Sequence, residues 1–205
     1  MITSRRSFFA MFGLIILPSF SLGEIIRTPM QAEGPFYPDS LPEDSDNDLV
    51  KNGYSTKESG GKILNLMGCL IDRDYKPIEG MTAEIWQTDM NGVYLHTGSF
   101  GSKMRDDQFQ GFGRSITDQN GYFSFRTIIP AKYPGRTPHI HLKLWDEKVN
   151  VLTTQLYLHG HSQNKEDFLF NRMTIAEQKM NSMKLLPAQT NDSTEYTTSV
   201  RLVVF

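Results

Sequence analysis

Disulfide chemistry is the first thing this chain lacks. Cys69 is its single cysteine among 205 residues, so no internal bridge can form and stability has to come from a hydrophobic core. Cys69 sits in the apolar run Leu66-Met67-Gly68-Cys69-Leu70-Ile71, the setting of a small buried residue and not of a reactive thiol. A basic excess is also missing. Lys and Arg number 21 against 23 Asp and Glu, a formal charge of −2, which argues against a nucleic-acid partner. Repeats and low-complexity tracts are absent. No apolar run reaches the roughly 20 residues that span a bilayer. What is there is an ordinary globular composition, 39% hydrophobic and 21% charged, long enough for one domain with a real core.

The longest apolar stretch runs from Phe8 to about Leu22, broken by Gly13, Pro18 and two serines, and follows Arg5 and Arg6 with no acid before it. At about 15 residues it fits the core of a secretory signal peptide. Ser19-Phe20-Ser21 or Ser21-Leu22-Gly23 offers the small residues of a cleavage site. Ser4-Arg5-Arg6-Ser7-Phe8-Phe9 is similar to the twin-arginine export motif, whose pathway carries proteins already folded. An ordinary secretory signal and an uncleaved anchor are the alternatives. The expectation is a signal peptide over residues 1–23 and a periplasmic or secreted product with no stable membrane insertion after processing.

Residues 24–62 read as an N-terminal segment and surface loop. Asp39, Glu43, Asp44, Asp46 and Asp48 crowd its middle, and Glu58-Ser59-Gly60-Gly61 comes near its end. From residue 63 to 205 strand signals dominate. Candidate strands are 63–71, 82–87, 122–128, 139–145, 151–158 and 199–205. Turn signals fall between them at Asp72 to Asp74, Glu79-Gly80, Asn91-Gly92, Asn120-Gly121 and Pro134-Gly135. Short strands at this spacing predict an all-β fold: an antiparallel, immunoglobulin-like β-sandwich with long loops and little helix. The main helical candidate runs from Lys165 to about Leu185. Trp86 and Trp145 are expected in the core.

His139-Ile140-His141 introduces the chemistry. On a strand, residues i and i+2 share a face about 6.6–6.8 Å apart along the chain, so two imidazoles can converge on one ion. A cupin would add a carboxylate a few residues later, but Leu142, Lys143, Leu144 and Trp145 follow instead. Upstream, Tyr133-Pro134-Gly135-Arg136-Thr137-Pro138 leads into the pair, and Tyr94 follows the Asn91-Gly92 turn. His159-Gly160-His161 is a second such pair, placed at a strand end, and His96 lies two residues from Tyr94.

Several ordered segments now coincide. Glu33-Gly34-Pro35-Phe36-Tyr37-Pro38 opens the series. Ala83-Glu84-Ile85-Trp86-Gln87 leads to Gly92-Val93-Tyr94, and Gly121-Tyr122-Phe123 to Ile129-Pro130. Arg136-Thr137-Pro138-His139-Ile140-His141 and Thr154-Gln155-Leu156-Tyr157 complete it. Together they resemble the intradiol ring-cleavage dioxygenases, the family of protocatechuate 3,4-dioxygenase and catechol 1,2-dioxygenase. The resemblance implies an Fe(III) ion held by Tyr94, Tyr133, His139 and His141, a catechol substrate, and O₂ as co-substrate. It implies Arg136 beside the substrate, Gln155 in the pocket, and the Gly34–Tyr37 segment as part of a wall. A homo-oligomer is compatible with it.

These residue types suit the implied metal. Ferric iron is a hard cation that favours anionic oxygen, and a trivalent ion can deprotonate a phenol whose pKa is ordinarily near 10. Two tyrosinates and a hydroxide neutralise the ion. A catecholate dianion replacing the hydroxide and one tyrosinate keeps it neutral, and the displaced bases take the catechol's two protons. Tyr133, the ligand expected to leave, thereby acts as a general base. Arg136 would stabilise negative charge on the substrate. The connection between Tyr133 and His139 is shorter here than in the protocatechuate enzymes, which predicts a more open mouth and a substituted or larger catechol. The competing readings are a non-catalytic β-sandwich binding module and a metal-dependent enzyme of another class.

Overall fold

Alternation along the strands builds the architecture. In the computed structural model, which describes residues 25–53, 55–188 and 195–205, β1 (Ile63–Ile71) buries alternate residues, Leu64, Leu66 and Leu70 among them. The strand expected at 82–87 forms as β2 (Thr82–Trp86). It is followed by β3 (Phe112–Ile116), β4 (Tyr122–Ile128), β5 (His139–Asp146), β6 (Val149–Leu158), the two-residue β7 (Ser182–Met183) and β8 (Leu186–Pro187), and β9 (Tyr196–Val203). They form a four-stranded sheet in the order β4-β1-β9-β8 and a five-stranded sheet in the order β3-β2-β5-β6-β7. The sheets pack face to face. Leu64, Leu66 and Leu70 of β1, Phe123 and Phe125 of β4, and Val200 and Leu202 of β9 meet Ala83, Ile85, Ile140, Leu142, Leu144, Leu152 and Leu156 from the other sheet. Gly68 sits in β1 because a Cβ there would lie 1.9 Å from the Phe123 ring.

The all-β sandwich is as expected, but both sheets are mixed. β1 pairs parallel with β9, and β6 parallel with β7. The continuous helix expected over 165–185 is broken into a 3₁₀ turn (Ser162–Glu166), α1 (Phe168–Asn171) and α2 (Ile175–Met180). Asp167 caps α1, and Thr174 with Glu177 forms a capping box on α2; each polar cap starts a new short helix instead of extending the last. The described residues from Asp39 to Gly61 carry no regular strand, yet Leu49 and Val50 among them are fully buried and join the core. The expectations for residues 1–23 fall outside the described residues.

The five-stranded sheet fixes the site through its register. His141 lies opposite Trp86 of β2 and Gln155 of β6, His139 opposite Tyr157, and Lys143 opposite Glu84. Directly paired residues share a face. The face turned away from the core therefore carries Trp86, Glu84, His139, His141, Lys143, Gln155 and Tyr157. The chain from Gln31 to Tyr37 crosses it: Gln31 N–H donates to the Thr153 carbonyl, Gln155 Nε2 to the Ala32 carbonyl, and the Tyr37 hydroxyl to Glu84.

Candidate metal centre

Two loops bring the tyrosines to this face. Asp89 is fully buried and accepts from the amides of Asn91, Val93 and Asp106, which folds the loop that delivers Tyr94. Gly92 has a φ of 80° and lies so close to the second loop that a Cβ would sit 2.6 Å from the Lys132 carbonyl oxygen. Only glycine permits both, and the contact sets Tyr94 beside Tyr133. The second loop closes tightly, with Arg136 N–H donating to the Tyr133 carbonyl at 3.1 Å.

Three donor atoms converge there. Tyr94 Oη lies 3.2 Å from His139 Nε2 and 3.0 Å from His141 Nε2, and the two Nε2 atoms are 3.1 Å apart. That mutual spacing is short enough for one cation to be held by all three. The arrangement fits a cation better than it fits hydrogen bonding alone. His139 Nδ1–H donates to the Thr137 carbonyl at 2.6 Å, which leaves the Nε2 lone pair pointing inward. His141 is stacked flat on Trp86, with centroids 4.7 Å apart and planes 9° apart, and its Nδ1 has no partner among the described residues. The Tyr94 hydroxyl carries one proton, so it can donate to only one of the two imidazoles. No group of three His, Cys, Asp or Glu converges among the described residues, so a metal here requires tyrosine.

Burial tunes the donors. It drives the His139 pKa down to about 3, with Arg136 adding to the effect. Burial likewise pushes His141 well below the usual histidine range, helped by His139 and Arg136. Both rings are therefore neutral near pH 7, the form that ligates metals. Tyr94 is pushed well above the usual phenol range by burial and then by Tyr133, so ionisation awaits a compensating cation.

The other expected residues surround this triangle. The half-buried Tyr133 stands edge-on to Tyr94 (centroids 5.4 Å) and tilted over His139 (5.7 Å). Arg136 donates to the Tyr133 hydroxyl at 3.4 Å, to Gln155 Oε1 and to the Tyr157 hydroxyl. Phe36, from the expected wall segment, stacks on Tyr94 at 5.1 Å and meets Tyr133 and His96 edge-on. His96 thus stands against the Phe36 ring. The second pair does not form a site: His159 is exposed, while His161 caps the 3₁₀ turn and contacts Thr137. Trp86 is fully buried, as expected, but in a small aromatic cluster beside the site. Trp145, expected in the core, is half-buried on the same outer face, donating to Glu84. Sequence reasoning passed over Tyr157 and Asp167. Tyr157 was within reach, because it alternates with Gln155 on one strand face.

The chain is similar in sequence and fold to known proteins. The family model described as dioxygenase matches residues 32–203. Catechol 1,2-dioxygenase of Acinetobacter baylyi is 31% identical over 173 residues, 73% of this chain and 52% of that protein. The chain spans about half the length of the curated relatives it matches. Among solved structures, the dioxygenase domain of a carbohydrate-binding fusion protein from Streptomyces sp. SirexAA-E is 32% identical with a TM-score of 0.67, covering 87% of this chain and 97% of that one. An intradiol ring-cleavage dioxygenase from Tetranychus urticae is 25% identical with a TM-score of 0.67, covering 87% and 94%.

Proposed function

The chain belongs to the intradiol ring-cleavage dioxygenase family, and from that premise we propose that it uses O₂ to open a catechol ring between the two hydroxyl-bearing carbons. The product is a muconate-type diacid that takes up both oxygen atoms. The observation that carries this reading is the buried triangle of Tyr94 Oη, His139 Nε2 and His141 Nε2, with the Tyr133 ring beside it.

Tyr94, Tyr133, His139 and His141 are the residues that would hold a ferric ion. Bound there, the ion would bind the catechol oxygens and make the ring reactive toward O₂. The remaining steps fall to the protein. Tyr133 is the half-buried member of the set, so it is the ligand free to move, and its Oη takes a proton from the incoming catechol. Arg136 points its terminal nitrogens into the same space and stabilises negative charge on the substrate. Gln155 and the Tyr157 hydroxyl keep that guanidinium in place. Phe36 covers the face of Tyr94 and limits access by water. The tight Tyr133–Arg136 turn supports the inference of an open mouth and a substituted or larger catechol. Turnover of unsubstituted catechol alone, across a panel, would refute it.

A non-catalytic binding module leaves the phenol–imidazole triangle without a purpose. The readings are separated by colour. Tyrosinate bound to ferric iron absorbs visible light, so the purified protein is expected to be red to brown, and Tyr94→Phe should lose much of that absorption. A colourless wild-type protein that gains no colour with added iron would rule out the ferric site. Export is also part of the proposal: Arg5 and Arg6 direct a folded, metal-loaded protein out of the cytoplasm, testable by replacing both with lysine and following its location.

A further inference from the structure

Asp167 lies 31 residues from Arg136 in sequence, and its side chain is fully buried against it. Its two oxygens have separate partners. Oδ1 accepts from the amides of Leu169 and Phe170, at 3.0 Å each, and so caps α1. Oδ2 accepts from Arg136 Nε at 2.8 Å and from the Thr137 amide at 3.0 Å. The Thr137 carbonyl is the group that orients His139. A guanidinium is planar, so fixing Nε and its flanking backbone fixes where the terminal nitrogens point. Those nitrogens reach Tyr133, Gln155 and Tyr157. Phe170, on the helix that Asp167 caps, packs edge-on against Tyr157 at 5.0 Å. Burial pushes the Asp167 carboxyl up, but the amides of Phe170 and Thr137 and the Arg136 guanidinium outweigh it and hold it below the usual carboxylate range.

We propose that Asp167 is the positioning residue of the site: its Oδ2 clamps Arg136 Nε and the Thr137 amide, and so aims the guanidinium at the substrate. The proposal rests on Arg136 meeting the substrate, as read above. It also separates two roles within one carboxylate, a helix cap at Oδ1 and a clamp at Oδ2.

Asp167→Asn tests the separation. Asparagine caps helices as well as aspartate, so α1 persists, but its NH₂ group meets the Arg136 and Thr137 donors head-on. The expected result is a kcat lowered on the order of 10- to 100-fold, with KM for the catechol, iron content and visible absorption little changed. Arg136→Ala, alone and combined with Asp167→Asn, completes the cycle. If Asp167 acts through Arg136, the double variant is no slower than Arg136→Ala. Full activity in Asp167→Asn, or losses that multiply in the double variant, overturns the proposal. A readout independent of turnover is amide hydrogen exchange of the purified protein. The segment 133–141 should exchange faster, by about tenfold, while 168–171 does not. Unchanged exchange at 133–141 also overturns the clamp. A wild type that cleaves no catechol, with exchange still accelerated in the variant, defeats the assigned reaction and leaves the clamp standing.

Discussion

On β5 of the five-stranded sheet, Ile140, Leu142 and Leu144 turn inward and are fully buried, while His139, His141 and Lys143 turn outward and are nearly as buried. The two faces share one backbone and one degree of burial, but not one kind of cover. The inner face meets apolar strands of the opposite sheet and needs only volume. The outer face carries polar groups, and most are hydrogen-bonded because an unpaired one is costly out of water; His141 Nδ1 and Trp86 Nε1 are exceptions. Its cover is the irregular chain from Gln31 to Tyr37 together with the helical segment after β6, and both supply hydrogen bonds. Lys143 shows how fully this is done. It pairs with Glu33 and lies 4.0 Å from the centre of the Tyr37 ring. One face holds the fold together, and the other holds the candidate site.

Single substitutions on neighbouring residues should pull the two faces apart. His141→Ala is expected to lose bound iron and at least about a thousandfold in kcat/KM, roughly 4 kcal/mol of transition-state stabilisation, with the sandwich intact by circular dichroism. Leu142→Ala, one residue away, should do the reverse: about 2–5 kcal/mol less stable in denaturant, with near-normal activity per folded, iron-loaded molecule. If Leu142→Ala abolished activity while the protein stayed folded, the division between faces would fail.

The pH dependence of stability sharpens the same contrast. The folded pKa of His139 is about 3, below the unfolded value near 6.5. Its contribution is therefore complete above pH 6.5 and is lost as pH falls toward 3, because the unfolded chain takes up a proton that the folded one refuses. For iron-free protein the loss is on the order of a few kcal/mol, measurable by urea titration at a series of pH values. His139→Ala should make that curve shallower, with the remaining slope coming from His141, whereas Leu142→Ala should lower it without changing its shape. The smallest effect is expected at the cover. Glu33→Gln weakens a half-exposed ion pair and leaves Lys143 over Tyr37, so about 1 kcal/mol or less should be lost; a larger loss would mean that the N-terminal segment depends on this pair.

The strands at 63–71 and 122–128 were legible to their last residue, because their apolar patterns are bounded by turn signals. β3 was not. It is an edge strand that begins between two glycines, and Gly113 is there because Leu49 and the Asp46 carbonyl approach its backbone too closely for a side chain. Parallel pairing of β1 with β9 left no local mark, since a half-buried strand alternates in the same way beside either kind of neighbour. The helical segment is broken because Asp167 and Thr174 are each a start signal inside a long irregular pattern. At the site, His139, His141 and the tyrosines could be read from their order along the chain. Asp167 could not: its partner Arg136 is far away in sequence, and its local signature is that of a helix cap.

The most direct test of the central claim is the reaction of the iron-loaded protein with a catechol under ¹⁸O₂, followed by mass spectrometry of the product. The account predicts a muconate-type diacid carrying both labelled atoms, one in each new carboxylate. A ring opened beside the hydroxyl-bearing carbons instead of between them, or a product without label, would contradict it.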